Sequence, residues 1–597
     1  MKSGDNLQCN IFFIFISTMM VALFFVLGIR LKELQIDNVA DYREDNNRQS
    51  TRRVQIPGAR GRILDCKGRV LATNGKMLHI TVQAEAFQKR NTAMTVEAIS
   101  NAVMKLEKII GRAPDIGNED LARHIRLELS LSLPVWKEIT TKELAVFSEH
   151  QREFPGFRCE EEDKRIYCYG REFCHLLGRV GRGREIENSG DTKINFGLLE
   201  MRGREGVEYY YDSYLRGTPG EDCLLVDARG FANRRWTSVE PVAGPDLMLT
   251  VDSDIQKEVY RQLRGDKGAC VVMDPYTGAI LAMASEPSYD VNKCIPVFSR
   301  EYYRQLKNDD SHPLLNRATA GTFAPGSTFK PIVALAGLDE GVSPEHVYEC
   351  YGIYELVQMT IRCARRWGHG GEDMRHALRD SCNPYFCNLG MTIGTNAVIS
   401  AAKRFGLGNR TGIDFPTDAA GVVPDAVWKQ QHYNEKWFAG DLAQMSIGQG
   451  MLLVTPLQMA RVVGAIGTGR IVKPHLMAGM PVEEDVLAFP SKALQIVREG
   501  MRMVVDGGTG KAGGEGVDAW VIGKTGTAEI GRGEKKRKNT WFIAFAADDD
   551  KPYRRNVRRK AAAVALIIEN GKSGGATAAP KVCQILKSIF NKEEARQ

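Results

Sequence analysis

The first hydrophobic feature is an uncharged, strongly apolar run from Ile11 to Ile29. Its 19 residues would form a helix of about 28 Å, which matches a bilayer core. From Lys32 to Arg53 the chain is polar, lacks Gly and Pro, and reads as a helical stalk. The stretch Ile56 to Ala72 then predicts two short strands around an Asp-x-x-Gly turn at Asp65 to Gly68. Between 96 and 153, helical and polar segments alternate without a motif. Pro241 to Asp246 has the look of a linker, and beyond it Gly268 to Met273 and Ala279 to Met283 predict a strand, a turn and a strand. Pro325 and Gly326 predict another turn. After them Phe329, Ile332, Val333, Leu335 and Ala336 recur at helical spacing, so that Ser327 opens a helix. Pro331 is tolerable there, because the first turn does not need its missing N–H. Ala519 to Thr527 reads as a further strand.

A chain of 597 residues is too long for one core, and two to four domains are expected. Its 43% hydrophobic and 26% charged residues are the proportions of a globular protein. A net charge of +7 is mild at this size and gives no reason to expect nucleic acid as a partner. The basic runs Glu534 to Lys538 and Arg554 to Lys560 read as solvated loops. The apolar run after the ten-residue tail 1–10 is longer than the core of a usual signal peptide, and no small-x-small cleavage site follows it. An uncleaved anchor is expected, with everything beyond about Arg30 on one side of the membrane. Lys2 on one side and Arg30 and Lys32 on the other leave the orientation unfixed by charge. Thirteen cysteines, an odd number, cannot all pair within the chain.

The candidate chemistry centres on Ala324-Pro325-Gly326-Ser327-Thr328-Phe329-Lys330. Ser327 and Lys330 stand three apart, so hydroxyl and amine share one helical face. A serine hydroxyl needs a base to take its proton, and a lysine in apolar surroundings can serve as that base. Alone the tetrad reads equally well as a helix cap followed by a surface lysine. Two further motifs change this: Ser381-Cys382-Asn383, and then Lys524-Thr525-Gly526-Thr527. Ser-x-x-Lys, Ser-x-Asn and Lys-Thr-Gly in this order resemble the penicillin-binding and serine β-lactamase superfamily.

The resemblance extends over nearly the whole chain. The stretch from Arg60-Gly61-Arg62-Ile63 to Leu71-Ala72 looks like the opening of class B penicillin-binding proteins, with Cys66 where the family has arginine, a departure expected to weaken a local ion pair. Arg165 to Gly178, with Cys168 in place of a proline, and Gly206 to Gly220 also match family stretches, and read here as turns and packing. Trp437 to Asp441, Ser446 to Gly450, Gly368-His369-Gly370 and Ser381 to Phe386 look most like the elongation group, penicillin-binding protein 2. The resemblance implies an α+β chain: an anchor at 11–29, a stalk at 30–53, an elongated β-rich pedestal at 54–240, and a transpeptidase domain at 247–590 with an antiparallel sheet between helices. It implies Ser327 as nucleophile on a D-alanyl-D-alanine carbonyl, Lys330 as its base, Ser381 as proton relay, and Asn383 holding Lys330 and substrate. Thr525 and Thr527 would hydrogen-bond the substrate carboxylate, Lys524 would supply positive charge for it, Gly526 without a side chain would let the substrate approach closely, and the N–H groups of Ser327 and Thr527 would form an oxyanion hole. An amine of a neighbouring stem peptide would resolve the acyl-enzyme. Implied partners are lipid-linked peptidoglycan precursor, nascent glycan stem peptides, β-lactams as inhibitors, a SEDS-type glycosyltransferase and membrane proteins of the elongation complex, at the bacterial cytoplasmic membrane with the catalytic domain outside. The alternatives are a septal transpeptidase, a D,D-carboxypeptidase or β-lactamase, and a non-enzymatic β-lactam sensor or scaffold.

Catalysis of this kind needs no cofactor. Cys350, Cys363, His369 and Cys382, however, are three thiols and an imidazole, a tetrahedral zinc set by ligand type. A structural zinc, a Cys350–Cys363 disulfide, or buried thiols without any bond are the open readings, with Cys387 as a spare ligand.

Overall fold

The computed structural model describes residues 4–38, 51–127, 131–183, 196–197, 200–226, 232–357, 359–531, 537–549 and 560–591. The apolar run lies in an α-helix, Gly4–Lys32. Among the described residues it is the one helix long and apolar enough to cross a membrane, and its large side chains, Phe12 to Phe25 among them, are exposed. Most of the expected stalk, 39–50, lies outside the described residues, as do 534–536 and 554–559 of the two basic runs. The end of the stalk is not helical. Thr51–Ile56 is a strand, paired antiparallel with Gly220–Val226 from Thr51↔Leu225 to Ile56↔Gly220. A polar segment without Gly or Pro is compatible with either state. The partner strand, some 170 residues away, and burial of Val54 decide for the strand.

Of the two short strands expected around the Asp65 to Gly68 turn, the second is long: it runs from Val70 to Val82 and pairs from Ala72 onward with Phe157–Tyr167. Helices Thr92–Ile110, Asn118–Leu127 and Thr141–His150 pack there around Trp136, Phe147 and Phe157, so the pedestal is a mixed unit. The family-like stretches, read from sequence as turns and packing, converge on one buried charge network. Glu208 accepts from Arg60 Nε and Arg165 Nε, both at 2.7 Å, and Arg60 also donates to Asp212 at 2.7 Å. Burial alone would raise the Glu208 pKa. The two guanidiniums outweigh it and hold the carboxyl below its usual range. Next to Cys66 an ion pair is present nonetheless: Arg69 Nε donates to Asp65 at 2.8 Å.

The catalytic half is built on a five-stranded antiparallel sheet in the order Ile280–Glu286, Lys267–Met273, Ala561–Glu569, Arg537–Ala547, Trp520–Ile530. Alternation sorts its side chains. Phe542, Ala544, Val564 and Leu566 meet the helices Ser253–Leu263 and Ala579–Phe590 on one face. Trp541, Ile543, Phe545 and Ala565 meet Lys330–Asp339 and Pro456–Thr468 on the other. Both faces are covered, so the three inner strands are largely apolar and the third motif sits on an edge strand. Tyr211 of the pedestal hydrogen-bonds Asp414, which also accepts from the Leu476 and Met477 N–H groups and so joins the halves.

Candidate active site

Ser327 lies in a 3₁₀ turn, Gly326–Phe329, and the α-helix itself begins at Lys330. The three-residue spacing keeps both side chains on one face in either geometry. Ser327 is half-buried, whereas Ala324, Pro325, Gly326, Thr328, Phe329 and Lys330 around it are buried. Three fixed contacts hold this turn. The Gly326 N–H donates to Gly448 O at 2.8 Å, Trp541 Nε1 donates to Ala324 O at 3.0 Å, and Gly326 packs on Thr527 O. Gly326 has φ +55°, and a Cβ there would stand 2.9 Å from that oxygen, so this position requires glycine.

The structure brings the three motifs together. Lys330 is fully buried, and its Nζ donates to Ser381 O at 2.6 Å and to Asn383 Oδ1 at 2.7 Å, with Ser381 Oγ at 3.3 Å. Lys524, also fully buried, donates to the same Ser381 Oγ at 3.0 Å and to Thr525 O at 3.1 Å. The Ser381 hydroxyl therefore stands between two lysines 194 residues apart in the chain. Ser381 reaches this place with φ +57°, a left-handed conformation costing a non-glycine residue about 1 kcal/mol. Burial lowers Lys330 to about 8, and burial together with the neighbouring Lys330 charge holds Lys524 well below the usual lysine range.

Gly526 is needed for a reason other than the one its motif suggests. A Cβ there would meet Pro325 O at 2.8 Å, Thr328 Cγ2 at 2.9 Å and Trp541 Cβ at 3.1 Å, so the glycine lets the edge strand press onto the serine turn. Thr525 Oγ1 lies 2.8 Å from Thr509 Oγ1, and Gln449 Nε2 donates to Thr527 O at 3.3 Å. Asn383 Nδ2 donates to Arg362 O at 2.8 Å, which ties the second motif to the hairpin Ile353–Arg362. Thr509, Arg362 and Trp541 carry no motif that could have singled them out. Gln449 belongs to Ser446 to Gly450, a stretch that does resemble the family.

The ligand atoms of Cys350, Cys363, His369 and Cys382 all lie within 4.8 Å of one another. Cys350 and Cys363 are free thiols rather than a disulfide. His369 Nδ1 is 3.4 Å from Cys363 Sγ and 3.9 Å from Cys350 Sγ. A hydrogen bond between the Cys363 and Cys382 sulfurs lowers the former's pKa and raises the latter's, as expected of two thiols holding one proton. Cys387 stands apart, donating to Ala443 O at 3.5 Å.

A family model of the penicillin binding protein transpeptidase domain matches residues 268–589. The chain belongs to the penicillin-binding protein family. In this penicillin-binding protein, residues 55–249 match a second model, the penicillin-binding protein dimerisation domain. The peptidoglycan D,D-transpeptidase MrdA of Haemophilus influenzae is 31% identical over 603 residues, covering 95% of this chain and 89% of that protein. The MrdA of Escherichia coli K12 is likewise 31% identical, over 95% of this chain and 91% of that protein. Among solved structures, a complex between penicillin-binding protein PBP2 and MreC from Helicobacter pylori contains a chain matching with TM-score 0.76 at 26% identity, covering 90% of this chain and 99% of that one.

Proposed function

We propose that this penicillin-binding protein is the elongation-type peptidoglycan D,D-transpeptidase of its cell, with Ser327 as the acylated residue. The observation that carries this is the continuous network from Lys330 through Ser381 to Lys524, which joins all three motifs at hydrogen-bond distance. In acylation, Lys330 Nζ takes the Ser327 proton and Oγ attacks the penultimate D-alanyl carbonyl. The C–N bond then breaks as the leaving D-alanine nitrogen takes a proton through Ser381. A lysine lowered to about 8 keeps part of its population unprotonated at neutral pH, so burial makes it a usable base. In the second half an acceptor amine attacks the ester, the C–Oγ bond breaks, and Ser327 regains its proton. The Ser327 and Thr527 N–H groups receive the carbonyl oxygen in both halves, and Thr525 and Lys524 receive the terminal carboxylate. Gly4–Lys32 anchors the chain in the cytoplasmic membrane, with the catalytic half outside it, where the substrate lies.

Cys350, Cys363, His369 and Cys382 suit one structural zinc, since three sulfurs and a ring nitrogen converge with no further ligand required. Bound there, the ion would fix the loop 350–369 against the start of the Asn383–Ile393 helix and take no part in the serine chemistry. Partners of the elongation complex are a SEDS-type glycosyltransferase, since residues 55–249 match the dimerisation domain and the transpeptidase model begins at 268, and an MreC-type protein, as in the Helicobacter pylori complex.

The test is covalent labelling by a fluorescent penicillin, followed by cross-linking of lipid-linked substrate. Wild type should label and cross-link, and Ser327→Ala should do neither. Labelling that survives in Ser327→Ala places the nucleophile elsewhere. Wild-type labelling with hydrolysis in place of cross-links makes the protein a carboxypeptidase.

A further inference from the structure

If Ser327 is the acylated residue, and the role inferred for Gln449 rests on that reading, the oxyanion hole is divided between two elements. The Ser327 N–H belongs to the serine turn Gly326–Phe329, and the Thr527 N–H to the edge strand Trp520–Ile530. Two donors stabilise one developing oxyanion only when their separation is fixed in advance. Turn and strand touch where Gly326 packs on Thr527 O. Such a contact limits how closely they approach, but it does not stop them from parting.

The segment that follows the helix Ala439–Ser446 ties them together. That helix ends in a Schellman motif: the Gln449 N–H donates to Gln444 O at 2.9 Å and the Gly448 N–H to Met445 O at 2.8 Å, with Gly448 left-handed at φ +72°. From this helix end the Gly448 carbonyl accepts the Gly326 N–H at 2.8 Å, and Gln449 Nε2 donates to Thr527 O at 3.3 Å. Two consecutive residues thus hold one element each. A Cβ on Gly448 would stand 2.0 Å from Gly326 O, so the approach to the turn is backbone on backbone. Five residues on, Val454 and Phe323 exchange N–H donations at 2.8 and 2.9 Å, which pins the same segment to the chain before the serine. A strand residue turns its N–H and its carbonyl to the same side. The bond to Thr527 O therefore acts on the residue whose N–H is the second donor.

We infer that Gln449 is a positioning residue for the oxyanion hole: its amide holds Thr527 at a set distance from the Ser327 N–H, while the helix end that carries it holds Gly326. Gln449 acts through Thr527 and not on the substrate. Losing its amide loosens one of two donors, which costs less than the hundredfold or more expected of a donor removed outright. One neutral hydrogen bond sets the scale, about fivefold in rate. The hole receives the carbonyl oxygen both when the ester forms and when it is resolved, so both steps slow by the same factor.

The test uses the full chain in detergent and a fluorescent penicillin at saturating concentration. Stopped flow gives the acylation rate, and a chase with unlabelled penicillin gives the rate at which the acyl-enzyme is lost. Both are taken per molecule labelled at the end point, so a misfolded fraction drops out. Gln449→Met keeps the length of the side chain and removes the donor. It should slow acylation and deacylation alike by about fivefold, and leave the shape of the pH profile as in wild type, because Lys330 is not touched. Gln449→Lys, which restores an N–H donor of similar reach, should recover most of both rates. A merely structural role would lower the labelled end point and the Tm and leave both rates alone. A Gln449→Met protein with wild-type rates overturns the positioning role, and so does one that slows acylation without slowing deacylation. A wild type that takes no label, or a Ser327→Ala protein that still takes it, overturns the acyl-serine reading instead, and the role of Gln449 falls with it.

Discussion

Gly526→Ala tests whether the edge strand and the serine turn form one rigid unit. The added methyl would stand 2.8 Å from Pro325 O, about 0.6 Å inside ordinary van der Waals contact, with Thr328 Cγ2 at 2.9 Å and Trp541 Cβ at 3.1 Å. None of these neighbours can yield cheaply. Pro325 O is backbone and accepts from Thr328 Oγ1 at 2.8 Å, while Trp541 is fully buried with its Nε1 donating to Ala324 O. Overpacking of this kind costs about 1–3 kcal/mol, which for a domain of this size is a drop in Tm of roughly 2–8 °C. The relief available is to push the strand off the turn, which moves Thr525 and Thr527 away from Ser327. A displacement of about 1 Å can cost a hundredfold in rate, so a shift of half that size should slow penicillin acylation by about tenfold. Stopped-flow acylation and a thermal melt of the same preparation measure both effects. A variant that acylates at the wild-type rate with an unchanged Tm would refute the idea that this glycine is spent on internal packing, and would return it to the role of admitting substrate.

Because Lys330 acts as a free amine and burial lowers it to about 8, acylation by penicillin should rise with pH up to and through about 8 and level off above it. A profile flat from pH 6.5 to 9.5 would argue against Lys330 as the base. Glu208→Gln leaves Arg60 and Arg165 buried with one carboxylate fewer, a loss of about 3–5 kcal/mol that urea unfolding of the pedestal should register. A loss under 1 kcal/mol would mean that water or Asp212 already compensates. Metal analysis of the purified chain should find one zinc per molecule, and Cys363→Ser or His369→Ala should lose it and lower the Tm. Stoichiometric thiol titration without any metal would instead leave the four residues as buried thiols and an imidazole.

The elements that could be read from the chain alone are those whose cause is local. The apolar run from Ile11 to Ile29, the hairpin around Pro275–Gly278, and the turn and helix bearing Ser327 and Lys330 each lie within a few residues of the pattern that predicts them. The order of the three motifs named the family for the same reason, since motif order is a property of sequence. What the tertiary structure decided are contacts between residues far apart. The strand Thr51–Ile56 has no local signature that separates it from a stalk, and its partner lies at Gly220–Val226. Arg60 and Glu208 are 148 residues apart, each in a stretch that resembles the family but carries no local sign of its partner, and they are buried as a pair. Ser381 accepts from lysines 51 residues before it and 143 after it, and the four possible metal ligands meet only once two strands and a helix start have been brought together. Hydrophobic periodicity records which face of an element is covered. It carries no record of which distant segment covers it, and in this protein that choice puts a buried lysine on each side of one serine.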